Sequence, residues 1–203
     1  MKKFFLVTSQ LSESMLMEYS YMPVDNAELA YGAVHYPVIP VINAYAKTGD
    51  AIEVITVTYD TPNCHKNLAL LDKELAKVCQ EKGVSYTLDS IDVPFDDSIQ
   101  AILSVYQHFI ARVNDYDDLY ADITYGSKPM PIVLTMALQY AYRTKKGVSI
   151  ECVTYGQVSH HEEQPEAKIY DVTALVQLDE IVTLMSESKV SDPATVIKLI
   201  LEG

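Results

Sequence analysis

The sequence predicts an α/β fold: an open, mostly parallel, Rossmann-like sheet with helices on both faces and a short helical appendage at the C-terminus. Two observations carry this. Apolar, β-branched runs alternate with helical patterns at least four times, and each intervening stretch is long enough for a parallel crossover connection. Leu119 to Pro131 then passes from an apolar run through Gly126-Ser127 into a helical period with Pro129 and Pro131 in its first turn, a strand-loop-helix crossing.

Taken in order, Phe4 to Thr8 reads as the first, central strand, ending in Thr8-Ser9-Gln10. Leu11 to Tyr36 has no sustained period and reads as a long loop with a short helix around Asn26 to Ala33. Its tyrosines, Tyr19, Tyr21, Tyr31 and Tyr36, suit base stacking, core packing or a dimer contact. Val38 to Lys47 is a helix stopped by Thr48-Gly49-Asp50, and Ala51 to Thr58 is a strand. A turn over Tyr59 to Asn63 leads to a helix from about Asn67 to Lys82, stopped by Gly83. The neighbours Cys64 and His65 read as incidental. Val84 to Val93 is a further strand; Asp96-Asp97-Ser98 opens a helix through about Val113, the acidic pair suiting its positive end rather than a metal.

After the strand at Leu119 to Thr124, Met130, Val133, Leu134, Ala137, Leu138 and Ala141 repeat on one helix face from near Pro129 to near Gly147. Val148 to Thr154 is a strand left through Tyr155-Gly156-Gln157, Ser159 to Pro165 a surface hairpin tip in which His160 and His161 have no metal-site spacing, and Lys168 to Thr173 a last short strand antiparallel across that tip. Leu175 to Met185 and Pro193 to Leu201 are short helices. Residues 1–174 thus form the domain, and 175–203 are too short for an independent catalytic or DNA-binding unit.

Composition narrows the function. With 28 acidic against 15 basic residues the net charge is −13, so no duplex nucleic-acid partner is expected, although a small anion remains open to a local cationic pocket. No apolar run reaches the roughly 18 residues of a spanning helix, and the N-terminus is too quickly polar for a signal peptide; the expectation is a soluble, cytoplasmic chain without a membrane partner. Cys64, Cys79 and Cys152 are too dispersed for a disulfide framework or a cysteine zinc site. The G-x-G-x-x-G and G-x-x-x-x-G-K-[ST] signatures are absent, so neither NAD nor ATP chemistry is expected, and no cofactor or metal is called for.

In such a sheet the turn after Leu119 to Thr124 lies at the carboxyl edge, where loops and helix starts gather ligands. Thr124, Ser127 and Lys128 add two hydroxyls and a cation to the free N–H groups of a helix start, which suits a phosphate; alternatively the hydroxyls cap the helix and Lys128 is a solvated charge. If the first strand is a neighbour, Ser9 and Gln10 face the same cleft.

Asp122-Ile123-Thr124-Tyr125-Gly126-Ser127-Lys128-Pro129-Met130-Pro131 resembles the D-[IL]-T-[HY]-G-x-[RK]-x-x-P block of CARF domains, the CRISPR-associated Rossmann fold of type III systems. Val153-Thr154-Tyr155-Gly156, Ile169 to Thr173 and the strand ending in Thr8-Ser9 are similar to that group's other strands. Tyr125 stands where histidine is frequent and Lys128 where arginine is frequent. The resemblance implies a homodimer whose cleft binds a cyclic oligoadenylate, with Thr8, Ser9, Gln10, Thr124, Tyr125, Gly126, Ser127, Lys128, Tyr155 and Gly156 as ligand-binding residues. Tyr125, Tyr155 or the Leu11 to Tyr36 loop would wall the adenines. It implies either a sensor that signals to an attached or partner effector, or a metal-independent ring nuclease in which Lys128 and Ser9 are catalytic. A Rossmann-like regulator of another nucleotide is the third reading.

Overall fold

The computed structural model describes residues 1–96, 98–159 and 165–202, with backbone only at 202. Strands β1 (Lys2–Val7), β2 (Met22–Pro23), β3 (Ala51–Tyr59), β4 (Ser85–Val93), β5 (Asp118–Asp122), β6 (Ser149–Ser159) and β7 (Glu166–Asp171) are joined through helices α1 (Val38–Tyr45), α2 (Pro62–Lys82), α3 (Ile99–Ala111), α4 (Met130–Thr144), α5 (Thr173–Glu187) and α6 (Pro193–Glu202). Among the described residues the strands form one seven-stranded sheet in the order β2-β7-β6-β5-β1-β3-β4. β1 pairs in parallel with β3 and β5, β3 with β4, β5 with β6 and β2 with β7; among the described pairs of these strands, β6–β7 alone is antiparallel. This is the α/β, mostly parallel architecture that the alternation of elements predicts.

Alternation along β1 splits the core in two. Phe4 and Leu6 pack with α1 and α2, whereas Phe5 and Val7 pack with α3, α4 and α5. Strands buried on both faces read as continuous apolar runs, which is why they are legible. Lys3, 3% exposed, ties off the amino edge of the sheet by holding Glu53 at 2.7 Å and Asp117 at 3.4 Å.

Several boundaries differ from the sequence expectation. α2 begins at Pro62 because Thr61 caps it, its hydroxyl accepting the Cys64 N–H, so Cys64 and His65 lie in the first turn. The long segment after β1 is a strap over α1 and α2, held by the two-residue β2 on β7, a Tyr19–Val34 bridge and a 3-10 turn over Ala27–Leu29. β6 does not stop at Thr154. It runs to Ser159 because β7 pairs it through Tyr155, Gly156 and Gln157. α5 docks through Val176 and through Arg143, which holds Asp179 at 2.9 Å and Glu180 at 2.7 Å, while Leu199 and Leu201 of α6 are exposed. Among the described residues no helix is long and apolar enough to cross a membrane.

Candidate functional site

The chain leaves β1 for β3 on one side and returns through β5 on the other, so β1 and β5 are adjacent where the winding of the sheet reverses. In doubly wound sheets that point opens a crevice at the carboxyl edge. Here Thr8-Ser9-Gln10 leaves β1, and Ile123 to Pro129 leaves β5, at the same edge.

Most groups of the β1 loop are already engaged. Thr8 is fully buried, its hydroxyl 2.8 Å from that of Thr56 and 3.0 Å from that of Thr58. Ser9 is equally buried: its Oγ accepts the Leu11 N–H, its N–H reaches the Tyr36 hydroxyl, and its carbonyl accepts Asn67 Nδ2 at 2.8 Å. Gln10 differs. Its Nε2 is buried and has no hydrogen-bond partner.

The β5 loop is built on a buried carboxylate. Asp122 Oδ2 accepts the hydroxyls of Thr124 at 2.9 Å and Thr154 at 3.2 Å, and Oδ1 accepts the Thr124 N–H. Burial raises the Asp122 pKa to about 7, with the hydrogen bonds from Thr124 and Thr154 opposing the rise. Thr124 in turn accepts the Gly156 N–H at 2.8 Å, so its hydroxyl holds two strands together rather than capping α4. Gly156 is required by crowding: a Cβ there would lie 2.6 Å from Pro37 Cγ.

Beyond Thr124 the loop opens. Gly126 adopts φ +114°, a region few other residues reach, and a Cβ there would sit 3.0 Å from Met130 Cβ. Ser127 Oγ is 3.3 Å from the Tyr59 hydroxyl at the end of β3, and Lys128 is exposed. The amides of the helix start are fewer than expected. Pro129 and Pro131 have no N–H, and the Met130 N–H is taken by the Ser127 carbonyl. The Lys128 side chain and the positive end of the α4 macrodipole are the cationic features of this edge.

The aromatic residues divide. Tyr125 turns under the strap: its hydroxyl donates to the His35 carbonyl at 2.9 Å, and its ring meets Tyr36 edge-on. Burial raises its pKa far above the ordinary phenolic value. Tyr155 is 40% exposed, stacked with Tyr170, and by strand alternation on the face of β6 opposite Gly156. Thus Ser9, Gln10, Thr124, Tyr125, Gly126, Ser127 and Lys128 are gathered at one edge, and Thr8 lies beneath it.

Sequence reasoning missed the groups that set these loops. Asp122 opens the motif that carries the resemblance, but its part as the buried acceptor for Thr124 and Thr154 has no signal in the sequence. Asn67 and Tyr36 fix the β1 loop from α2 and the strap, a relationship between distant segments that has no local signal. Glu74 clamps the strap, accepting the His35 and Tyr36 N–H groups while its Oε1 lies 2.9 Å from His35 Nδ1. Together with Glu18 these side chains gather three atoms of metal-ligand type within 4.8 Å of one another, where the sequence suggested no metal ligands. Glu74 serves there as a backbone clamp. Asp97, His160 and His161 lie outside the described residues; Asp96 accepts the Ser98 N–H ahead of α3.

No protein-family model matches the chain. Over 141 residues, 66% of its length, it is 24% identical to the CRISPR-associated protein MJ1674 of Methanocaldococcus jannaschii, and it spans about a fifth (21%) of that protein. Its likeness to the solved structure of SCL7 from Oryza sativa is slight, with 11% identity, a TM-score of 0.39 and coverage of 78% of this chain and 37% of that one, and carries no argument. The similarity to a CRISPR-associated protein is the finding that bears on function.

Proposed function

We propose that the chain is a CARF-type sensor that binds a cyclic oligoadenylate in type III CRISPR antiviral signalling, with the ligand held across a homodimer cleft. One observation carries this reading: the loops after β1 and β5 lie side by side at the switch point, and the β5 loop presents Ser127 and an exposed Lys128 there. A ring of repeated phosphates matches a twofold interface in which each subunit offers the same cation. The orphaned Gln10 Nε2 supplies a donor that lacks an acceptor. Similarity to a CRISPR-associated protein supports the biological setting.

Sensing is favoured over ring cleavage by the burial of Ser9, whose Oγ already accepts the Leu11 N–H. Signal would pass to an attached or partner effector. Incubation with cyclic tri-, tetra- and hexa-adenylate, followed by mass analysis of free and bound species, tests the proposal. Retention of one intact ring is expected. Linear products ending in a 2′,3′-cyclic phosphate would make the protein a ring nuclease instead, and no retention of any ring would reject both readings.

A further inference from the structure

Of the tyrosines that the motif and its following strand supply, neither offers a free ring to a base: Tyr125 is packed against Tyr36 beneath the strap, and Tyr155 is stacked on Tyr170. An aromatic that the sequence did not single out does. Phe95 follows β4 at the same carboxyl edge and is 62% exposed. Its ring lies 5.6 Å from that of Tyr59 at an interplanar angle of 77°, an edge contact and not a stack. The Tyr59 hydroxyl is 3.3 Å from Ser127 Oγ. One tyrosine therefore separates the exposed ring from the loop that carries Lys128.

We infer that Phe95 is a base-stacking subsite that takes an adenine of the ligand whose phosphate meets Ser127 and Lys128. This rests on the nucleotide-binding reading above. An exposed phenyl ring gains little by facing water, whereas a base laid on it removes apolar area from both partners. Tyr59 is 1% exposed, so the ring that Phe95 leans on is fixed in the core. Its hydroxyl couples the subsite to the phosphate loop, setting base and phosphate at a constant separation. Such a subsite favours purines, whose stacking surface is larger, and it acts on affinity rather than on any bond-making step.

The test uses a property of the chain itself, which contains no tryptophan. Phe95→Trp places a single tryptophan at the subsite, and cyclic tetra-adenylate, or whichever of the tri-, tetra- and hexa-adenylate rings the wild type retains, is titrated while tryptophan emission, excited apart from the tyrosines, is followed. Calorimetric affinities are measured for wild type, Phe95→Ala and Phe95→Tyr, with melting curves as a control. The expected result is quenched emission, affinity about tenfold weaker for Phe95→Ala, near-wild-type affinity for Phe95→Tyr, and unchanged melting. Wild-type binding with equal affinity for Phe95→Ala and unquenched tryptophan overturns the subsite and leaves the nucleotide reading standing. Failure of the wild type to bind any ring overturns both.

Discussion

The Thr124 hydroxyl accepts the Gly156 amide N–H at 2.8 Å while donating to Asp122 at 2.9 Å. This single side chain bonds the start of the β5 loop to the middle of β6, and it does so over a carboxylate that is 1% exposed. The loop that presents Lys128 is thus anchored at its root and open at its tip.

Gly156→Ala tests the crowding at that root. A methyl group would lie 2.6 Å from Pro37 Cγ and 3.1 Å from Thr124 Oγ1, forcing β6 and the strap apart. Overpacking of this kind costs ~1–3 kcal/mol, so thermal unfolding should fall by roughly 3–10 °C. An unchanged melting temperature would show that Pro37 yields without cost.

Asp122→Asn tests the buried carboxylate by pH. With its pKa raised to about 7 in the fold, Asp122 holds a proton that the unfolded chain has released. Its folding contribution is therefore most favourable below about pH 4 and is lost as pH rises through 7. Wild-type stability relative to the asparagine variant should drop by roughly 4 kcal/mol between pH 4 and pH 8. Denaturant unfolding at several pH values measures it, and parallel profiles would mean that Asp122 is ionised throughout.

Lys128→Ala should leave the melting curve within about 0.5 kcal/mol of wild type, because the side chain is exposed. Loss of a charge-assisted contact of ~1.5–3 kcal/mol should weaken binding of the retained cyclic adenylate by roughly 10- to 150-fold. Equal affinities in calorimetry would remove Lys128 from the site.

Glu74→Ala should free the strap. The carboxylate holds the His35 and Tyr36 amides, and the Tyr36 hydroxyl in turn meets the Ser9 N–H. We expect a loss of roughly 2–3 kcal/mol, together with faster amide exchange and proteolysis between residues 11 and 36 and little change in α3 and α4. Uniform exchange across the chain would contradict a local clamp.

Much of this was legible in the sequence because the physics is local. Strands buried on both faces gave unbroken apolar runs, as at Ala51–Tyr59, and Pro129 and Pro131 marked the start of α4. The adjacency of β1 and β5 is only a condition in the sequence, because the alternation of elements does not fix strand order; the sheet supplies it. What escaped depends on contacts between distant segments. Gly156 reads as a strand-ending turn residue in isolation, yet it lies within β6 because β7 pairs it, and it is glycine because Pro37 and Tyr21 occupy the space a side chain would fill. Tyr125 reads as a base platform until the strap folds over it. Phe95 follows Pro94 in a short polar stretch, and only the position of Tyr59 beside it motivates the proposed subsite.

Thr154 is paired with Asp122, the last residue of β5, but β6 continues for five residues, to Ser159, with β7 alongside. At about 3.3 Å per residue this hairpin overhangs the neighbouring strands by roughly 17 Å. It forms a parapet on one flank of the groove, whereas on the other flank β4 ends at Val93, two residues past the level of Val7. A rigid, flat body descending on the edge would strike the parapet before reaching Lys128; a compact guest entering sideways, past Phe95, would not.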